Sequence, residues 1–468
     1  MNIKTIVNII FFGILFLINS CREDYETNDP MQELAFSEET IFLNTVFTDI
    51  SSSTYRLTVT NNENQDILIP SILLERGSTS FYSIEVDGNQ NDEKQYQDIL
   101  IRKNDFITVY ITITPKNTTE TLYEDKIIFN LGNRVQEVKL TSVIEDVELF
   151  KPNVGTDYYE ITSDTTWDNS KSKIIYNGVL VKSGAKLTIE KGTKVYFYTD
   201  SELIIENGGE LIVNGTKNEK VNFSGYRTEP KYDTIIGTWN KIGLKENAKA
   251  KINYAYIKGG TTSIEAVKAN VELTNTQIYN SERFGLYGEN ATITASNLAV
   301  NHASRYSVFL NEGGNYDFKH CTLVNYWSYE SNEEVALYVS NVKSKSGQLT
   351  YGDLNADFAN NIIFSLESDG LRMFIDTEKA TATLNFDNNL INEMAGEINF
   401  SGNNFSNTIV NQNPMLKDAT KFSSNDLRLT ASSPVLNKGN ETIANLVPQD
   451  ILEANRTVSP DLGAYELE

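Results

Sequence analysis

The chain is poor in the residues that most often carry chemistry or covalent staples. It has two cysteines, two histidines, three tryptophans and five methionines in 468 residues. Two cysteines cannot make a disulfide framework or a cysteine-built zinc site. Positive charge is also scarce, with 40 Lys and Arg against 63 Asp and Glu and a net charge of −23. Such a surface repels nucleic-acid phosphates and anionic lipid alike, so a nucleic-acid partner is excluded. Apolar runs of membrane-spanning length are absent too, and the longest, from Ile6 to Ile18, is broken by Asn8 and Gly13. It is too short and too near the start for a membrane span.

That first stretch has the build of an export signal, with Lys4 in front and an apolar centre behind, and residues 1–20 are set aside from fold reasoning. Its end, Ile18, Asn19, Ser20 and Cys21, resembles a bacterial lipobox, in which the cysteine is acylated and becomes the new N-terminus. The resemblance implies lipid attachment at Cys21. Acyl chains contribute about 0.8 kcal/mol per buried methylene, enough for several chains to hold a protein on a membrane without a spanning helix. Glu23, Asp24 and Glu26 follow, in a tether covering residues 21–31. They resemble the acidic signal that sends Bacteroidetes lipoproteins to the outer face of the outer membrane. Membrane attachment through lipid, with cell-surface exposure, is the expectation that follows.

Residues 32–148 read as short alternating strands: 54–61, 81–88, 105–115, 125–132 and 135–143. In "ITVYITITP" side chains alternate between two faces, and turn residues separate the runs, as in a β-sandwich. The pattern resembles the Ig-like modules of bacterial surface proteins, which serve as spacers.

The texture changes near residue 150. Beyond 165 each segment, such as "GVLVKSGAKLTIEKGTKVYF" or "RFGLYGENATITASNLAVNHA", holds two or three short strands between Gly, Asn or Lys turns. Aligning the apolar residue of the last strand gives Ile257, Ile278, Leu298, Leu323, Ile363 and Leu390, with differences of 21, 20, 25, 40 and 27 residues. A period just above 20 is one coil of a right-handed parallel β-helix, in which stacked coils share a continuous core. The wide step of 40 is either two rungs or one rung with an excursion. Ten or eleven coils at about 4.8 Å each predict a rod of roughly 50 Å between residues 165 and 410, within a β-helix domain that spans 149–410 with its N-terminal cap. Asn280, Asn325 and Asn392 recur two positions after the aligned residue and predict an asparagine ladder. Trp167 is placed to plug the front end.

The tail, "LRLTASSPVLNKGN" followed by "NRTVSPDLGAYE", resembles the C-terminal cap of bacterial right-handed parallel β-helix repeat proteins. Ser433, Pro434, Gly439, Asp450, Arg456, Asp461, Gly463 and Glu466 sit on that pattern. The resemblance implies a cap over residues 411–468, with Arg456 pairing Asp461 or Asp450 against the last coil. The fold class expected is therefore all-β, an Ig-like β-sandwich followed by a pectate-lyase-like β-helix.

Function is read from sites, not from the fold. A polysaccharide lyase needs a base and a cation beside the uronate carboxylate. Arg283, His302, Arg305, Lys319 and His320 crowd into two or three coils, and Arg305, Lys319 and His320 are the catalytic candidates. A glycoside hydrolase would need paired carboxylates from neighbouring coils, which 63 acids supply by chance. No cofactor is implied; calcium enters only with a lyase, and no acids repeat in the register that a calcium site requires. Binding without chemistry fits better. The repeat region carries Tyr254, Tyr256, Tyr279, Tyr287, Tyr306, Tyr316 and Tyr338 beside the densest knot, Tyr326, Trp327 and Tyr329. Outward tyrosines make a platform for sugar rings or a partner protein. Tyr326, Trp327 and Tyr329 are the expected contact surface, for adhesion or polysaccharide binding.

Overall fold

A computed structural model describes residues 27–28, 33–116, 118–329 and 334–467. The export signal, Cys21 and the acids up to Glu26 lie outside the described residues, as does the segment 330–333. No helix among the described residues is long and apolar enough to cross a membrane.

The chain divides into two compact units, Met1–Glu145 and Asp146–Glu468. The first is a sandwich of two sheets. One is ordered around Asp66–Leu74, Leu122–Asn130, Val135–Glu145 and Thr40–Phe47; the other around Tyr55–Thr60, Phe106–Ile113 and Tyr82–Val86. Alternation drives it: in Phe106–Ile113 the residues Ile107, Val109, Ile111 and Ile113 face inward and are all nearly or fully buried. They meet Leu57, Val59, Ile84 and Val138 in a single apolar core.

The second unit is a parallel β-helix. Each full coil gives one strand to an eleven-stranded sheet, face A, running from Val147–Phe150 to Ile409–Val410. It gives two more to a seventeen-stranded sheet that folds into two sides. Face B runs through Gly260–Val267, the first part of Phe284–Ser296, the first part of Tyr306–Lys319, Val335–Ser340 and Leu371–Phe374. Face C runs through Asn270–Thr274, the later parts of those two long strands, Leu354–Ala359, Ala382–Asp387 and Phe405–Ser406.

The inward column of face A is Val195, Phe223, Ile257, Ile278, Val300, Leu323, Ile363 and Ile391, all at 0% exposure. Two positions of the sequence alignment are therefore shifted: Val300 and Ile391 hold the places assigned to Leu298 and Leu390. Leu298 and Leu390 are apolar and buried as well, so hydrophobicity alone could not separate them. The step of 40 is one rung, because Thr322–Asn325 pairs directly with Ile362–Ser365. Its excursion includes a hairpin of Val342–Lys345 with Gln348–Tyr351.

Both ends of the core are closed by aromatic side chains. Trp167 is buried and lies 4.6 Å from Phe150 between ring centroids, as a front plug should. On face C, Phe318, Phe358, Phe386 and Phe405 stack inward coil upon coil, and Phe400 meets Phe405 edge-on at 5.0 Å.

The tail differs from the cap expected for it. Rather than covering the last coil, it runs as a strap along the outside of face A. Its side chains Ala419, Leu427, Val435, Ile451, Leu462 and Tyr465 share an apolar cluster with Tyr279, Ala299, Val324, Ile362 and Leu390. The strap reaches from Lys217, whose Nζ donates to the Leu452 carbonyl at 2.8 Å, to Asn388, whose Nδ2 donates to the Lys438 carbonyl at 2.8 Å. Arg456 is fully buried within it and donates to the Gly463 and Ala464 carbonyls. Its carboxylate partner is Glu466 at 3.5 Å, which corrects the expected pairing with Asp461 or Asp450. Those two aspartates instead accept backbone N–H groups, Asp450 from Leu452, Ala454 and Glu466, and Asp461 from Asn437 and Leu467. Gly463 has φ +92°, and a Cβ there would strike Thr322 and Ile362. Only glycine lets the strap backbone lie so close to the sheet.

Candidate functional site

The lyase cluster predicted from sequence is not assembled. His302 sits near the end of the face A strand Ala299–Ala303, where the chain bends towards face B, in the left-handed region at φ +53°. His320 sits in the opposite turn, from face C to face A, at φ +51°. Both are at 0% exposure. His302 stacks on Phe422 of the strap at 3.9 Å, and its Nδ1 meets Asn425 Oδ1 at 2.8 Å. Burial depresses its pKa to about 4. His320 Nε2 meets Asn360 Nδ2 at 2.8 Å, and burial, reinforced by the Arg456 charge, pushes its pKa well down. Lys319 is bonded to Asp317 on its own strand, and Arg305 lies in the same turn series as His302, away from both. A base and a cation that converge on one substrate carboxylate are therefore not found among Arg305, Lys319 and His320. Their proximity in sequence hides a separation by two sides of the solenoid. Among the described residues no group of three or more His, Cys, Asp or Glu could hold a metal ion.

These histidines belong to turn columns that the strap clasps. One column holds Asn275, Asn297, His320, Asn360, Asn388 and Asn407, each in the left-handed region. Asn297 Nδ2 donates to Asn275 Oδ1 at 2.8 Å, and Asn407 Nδ2 to Asn388 Oδ1 at 3.0 Å. This is the longer asparagine ladder, and it was legible in the sequence as a residue recurring just before each face A strand. The other column holds Asn280, His302 and Asn325, where Asn325 both donates to the Ala303 carbonyl and accepts from the Ala303 N–H. Asn392, which the alignment placed in it, instead bridges the backbone of Ser365.

The expected contact surface is also redistributed. Tyr326 is 5% exposed and Trp327 8%, because both lie under the strap, Tyr326 in its apolar cluster and Trp327 at 5.3 Å from Phe422. Tyr329 alone of the three is exposed, at 66%. Tyr254, Tyr279 and Tyr316 are buried as well.

An outward aromatic cluster spanning three coils lies on face B. Phe284 pairs in register with Tyr306, and Tyr287 with Phe309 and then Tyr338, across three successive coils. Ring centroids lie 5.7 Å apart for Phe284 and Tyr306 and 5.1 Å for Tyr306 and Tyr338, both stacked. Phe309 stands across them, edge-on to Tyr306 at 5.0 Å and to Tyr338 at 5.1 Å. Tyr287, Tyr306, Phe309 and Tyr338 are each half-buried. Phe309 carries no tyrosine hydroxyl to mark it, and its outward place is legible only from the alternation "RYSVFLN".

Two polar edges flank this face. At one, Arg283 and Arg305 are exposed on successive coils. At the other, Tyr287 OH donates to Glu289 at 2.5 Å, Asn311 Nδ2 donates to Tyr287 OH at 3.2 Å, and Lys343 bonds Glu289 and lies 3.6 Å from Glu312. Burial, together with the Glu289 bond, raises the Tyr287 pKa, so this hydroxyl keeps its proton.

No protein-family model matches the chain, and no curated protein matches it. Among solved structures, the ASH / PapD-like domain 7 of human CEP192 is similar at 14% identity and a TM-score of 0.17, covering 25% of this chain and 93% of that one. A family 123 glycoside hydrolase from Clostridium perfringens, studied for glycolipid glycan hydrolysis, is similar at 10% identity and a TM-score of 0.18. That match covers 28% of this chain and 26% of the hydrolase. At these scores neither likeness bears on what the chain does.

Proposed function

We propose that this chain is an exported, lipid-anchored outer-membrane protein, displayed at the cell surface, that binds a glycan on face B of its β-helix without transforming it. The observation that carries the reading is the half-exposed aromatic cluster of Tyr287, Tyr306, Phe309 and Tyr338, spread over three coils of a rigid solenoid. Aromatic side chains on the outside of a water-facing protein offer apolar area with hydroxyl tips, which suits the apolar and hydroxylated sides of a sugar. The anchor rests on "INSC" at residues 18–21 and the acids behind it.

A glycan array probed with the soluble chain from residue 22 onward tests the binding half. Binding that Tyr306→Ala with Tyr338→Ala reduces at least tenfold supports it. Release of unsaturated or reducing-end products from a bound glycan would replace it with the lyase or hydrolase alternative. The anchor is tested by fractionation: the intact chain should partition with membranes, and Cys21→Ser should release it.

A further inference from the structure

Six arginines lie among the described residues of the second unit: Arg227, Arg283, Arg305, Arg372, Arg428 and Arg456. Four of them meet carboxylates, Glu229 at 3.3 Å, Asp369 at 2.9 Å, Asp426 at 2.6 Å and Glu466 at 3.5 Å respectively for Arg227, Arg372, Arg428 and Arg456. Arg283 and Arg305 meet none among the described residues. In a chain with 63 acids that is an exception in want of a reason. The nearest acid in sequence, Glu282, is turned away, its Oε2 accepting from the Thr261 hydroxyl at 2.7 Å.

The two arginines stack at one turn, where the Arg305 N–H donates to the Arg283 carbonyl at 3.2 Å. Each immediately precedes an aromatic residue of face B, Phe284 and Tyr306, which are register partners. The Arg283 guanidinium lies 5.1 Å from the Phe284 ring centroid, held at the rim of the aromatic face. At the opposite rim Glu289 and Glu312 share the one cation Lys343 and leave a net negative charge, so an anion on this face is directed to the arginine end. Guanidinium forks match carboxylate and sulfate geometry and stay charged at any working pH.

We propose that the glycan of face B is acidic, with uronate carboxylates or sulfate esters meeting Arg283 and Arg305 while the sugar rings lie on the aromatic cluster. This rests on the glycan-binding reading above and names the class of ligand. A charge-assisted pair of this kind contributes about tenfold or more in affinity.

The test measures binding of the soluble chain to three defined polymers: alginate for carboxylate, dextran sulfate for sulfate ester, and dextran as the neutral arm. Arg283→Gln, Arg305→Gln and their double variant are compared with Tyr306→Ala. The expected result is preference for alginate or dextran sulfate over dextran, with the tighter of the two naming the anion. Each arginine variant should weaken that binding about tenfold, and Tyr306→Ala should weaken it as well. Equal affinity for all three polymers, or arginine variants that bind the acidic polymers unchanged, would overturn the acidic ligand while leaving glycan binding in place. Binding confined to neutral members of a wider glycan array would do the same, whereas binding to no glycan at all would overturn both readings.

Discussion

Faces A and B of the same solenoid have the same strand spacing, the same alternation and a similar supply of outward aromatics, yet they end in opposite states. Over its later coils the outside of face A is covered by the strap, and Tyr279, Tyr326 and Phe364 disappear beneath it. Among the described residues the strap's apolar cluster takes in no side chain of face B, whose Tyr287, Tyr306, Phe309 and Tyr338 stay half-buried. The turn residues follow suit. Beside face A, asparagines and both histidines spend their side chains on the strap or on neighbouring turns, whereas the two arginines leading into face B hold no carboxylate among the described residues. A side chain's role on a repeat scaffold is therefore set by what lies over its coil as much as by its place in the coil.

The comparison is broken most severely by uncovering face A. Arg456 is at 0% exposure and ties the turn at Gly463 and Ala464 to Glu466. Burial lifts the Glu466 carboxyl to about 7 against the pull of that guanidinium, so after Arg456→Met it takes up a proton and spares part of the penalty. The loss of the remaining bonds and of the charge partner should still cost about 3 kcal/mol. Tryptophan fluorescence reads this directly: Trp167, Trp239 and Trp327 all belong to the second unit, and Trp327 touches the strap at Phe422. Arg456→Met should shift the emission to the red and expose residues 411–467 to protease before the core coils open.

Acid should undo the same face more gently. His302 has a folded pKa of about 4, against an ordinary value of 6.5, because burial disfavours its charged form. Its contribution is complete above about pH 6.5 and is lost as pH falls towards 4, where the unfolded chain holds the proton that the folded chain refuses. The loss amounts to about 3 kcal/mol at most. Glu466 acts in the opposite sense, since a folded value of about 7 above an ordinary 4.5 makes stability rise as pH falls through that range. A His302→Gln variant isolates the histidine. Urea unfolding of the native chain should lose stability between pH 7 and pH 4 relative to the variant, and equal slopes would mean that His302 is not shielded by the strap.

Much of this architecture is legible in the sequence, and what is not has a physical cause. The coil period, the front plug at Trp167 and the alternating strands of the sandwich all follow from local side-chain patterns. The strap does not. Its contacts pair residues far apart in the chain, such as Gln277 with Tyr465, and an apolar residue facing outward under a strap has the same local pattern as one facing inward. For that reason Tyr326 and Trp327 looked like a surface. His320 and Lys319 looked like partners of Arg305 because neighbouring coil segments are close in sequence, while opposite turns of one coil are far apart in space. The ladder at Asn275, Asn297, Asn360 and Asn388 is legible as an asparagine two positions before the face A strand that follows, since asparagine tolerates the left-handed conformation that this turn demands.

Asn325 sharpens the comparison at an intermediate level. Its amide satisfies both the N–H and the carbonyl of Ala303 from the next coil, deep in the turn. Asn325→Ala leaves those buried groups unmatched and should cost about 1–3 kcal/mol, measured as a lower urea midpoint with an unchanged slope.

Face B should be the least sensitive. Arg283 and Arg305 are exposed and hold no carboxylate among the described residues, so Arg283→Gln with Arg305→Gln should move stability by no more than about 0.5 kcal/mol. Calorimetric unfolding of the double variant decides between two accounts of these side chains. If the melting temperature falls as it does for Asn325→Ala, the arginines hold the turn through Phe284, and face B is built for stability like face A. If it stays while acidic-glycan binding drops, the charge serves something outside the fold. The contrast between a face whose turns are spent on its own strap and a face whose turns are held in reserve then becomes a functional one.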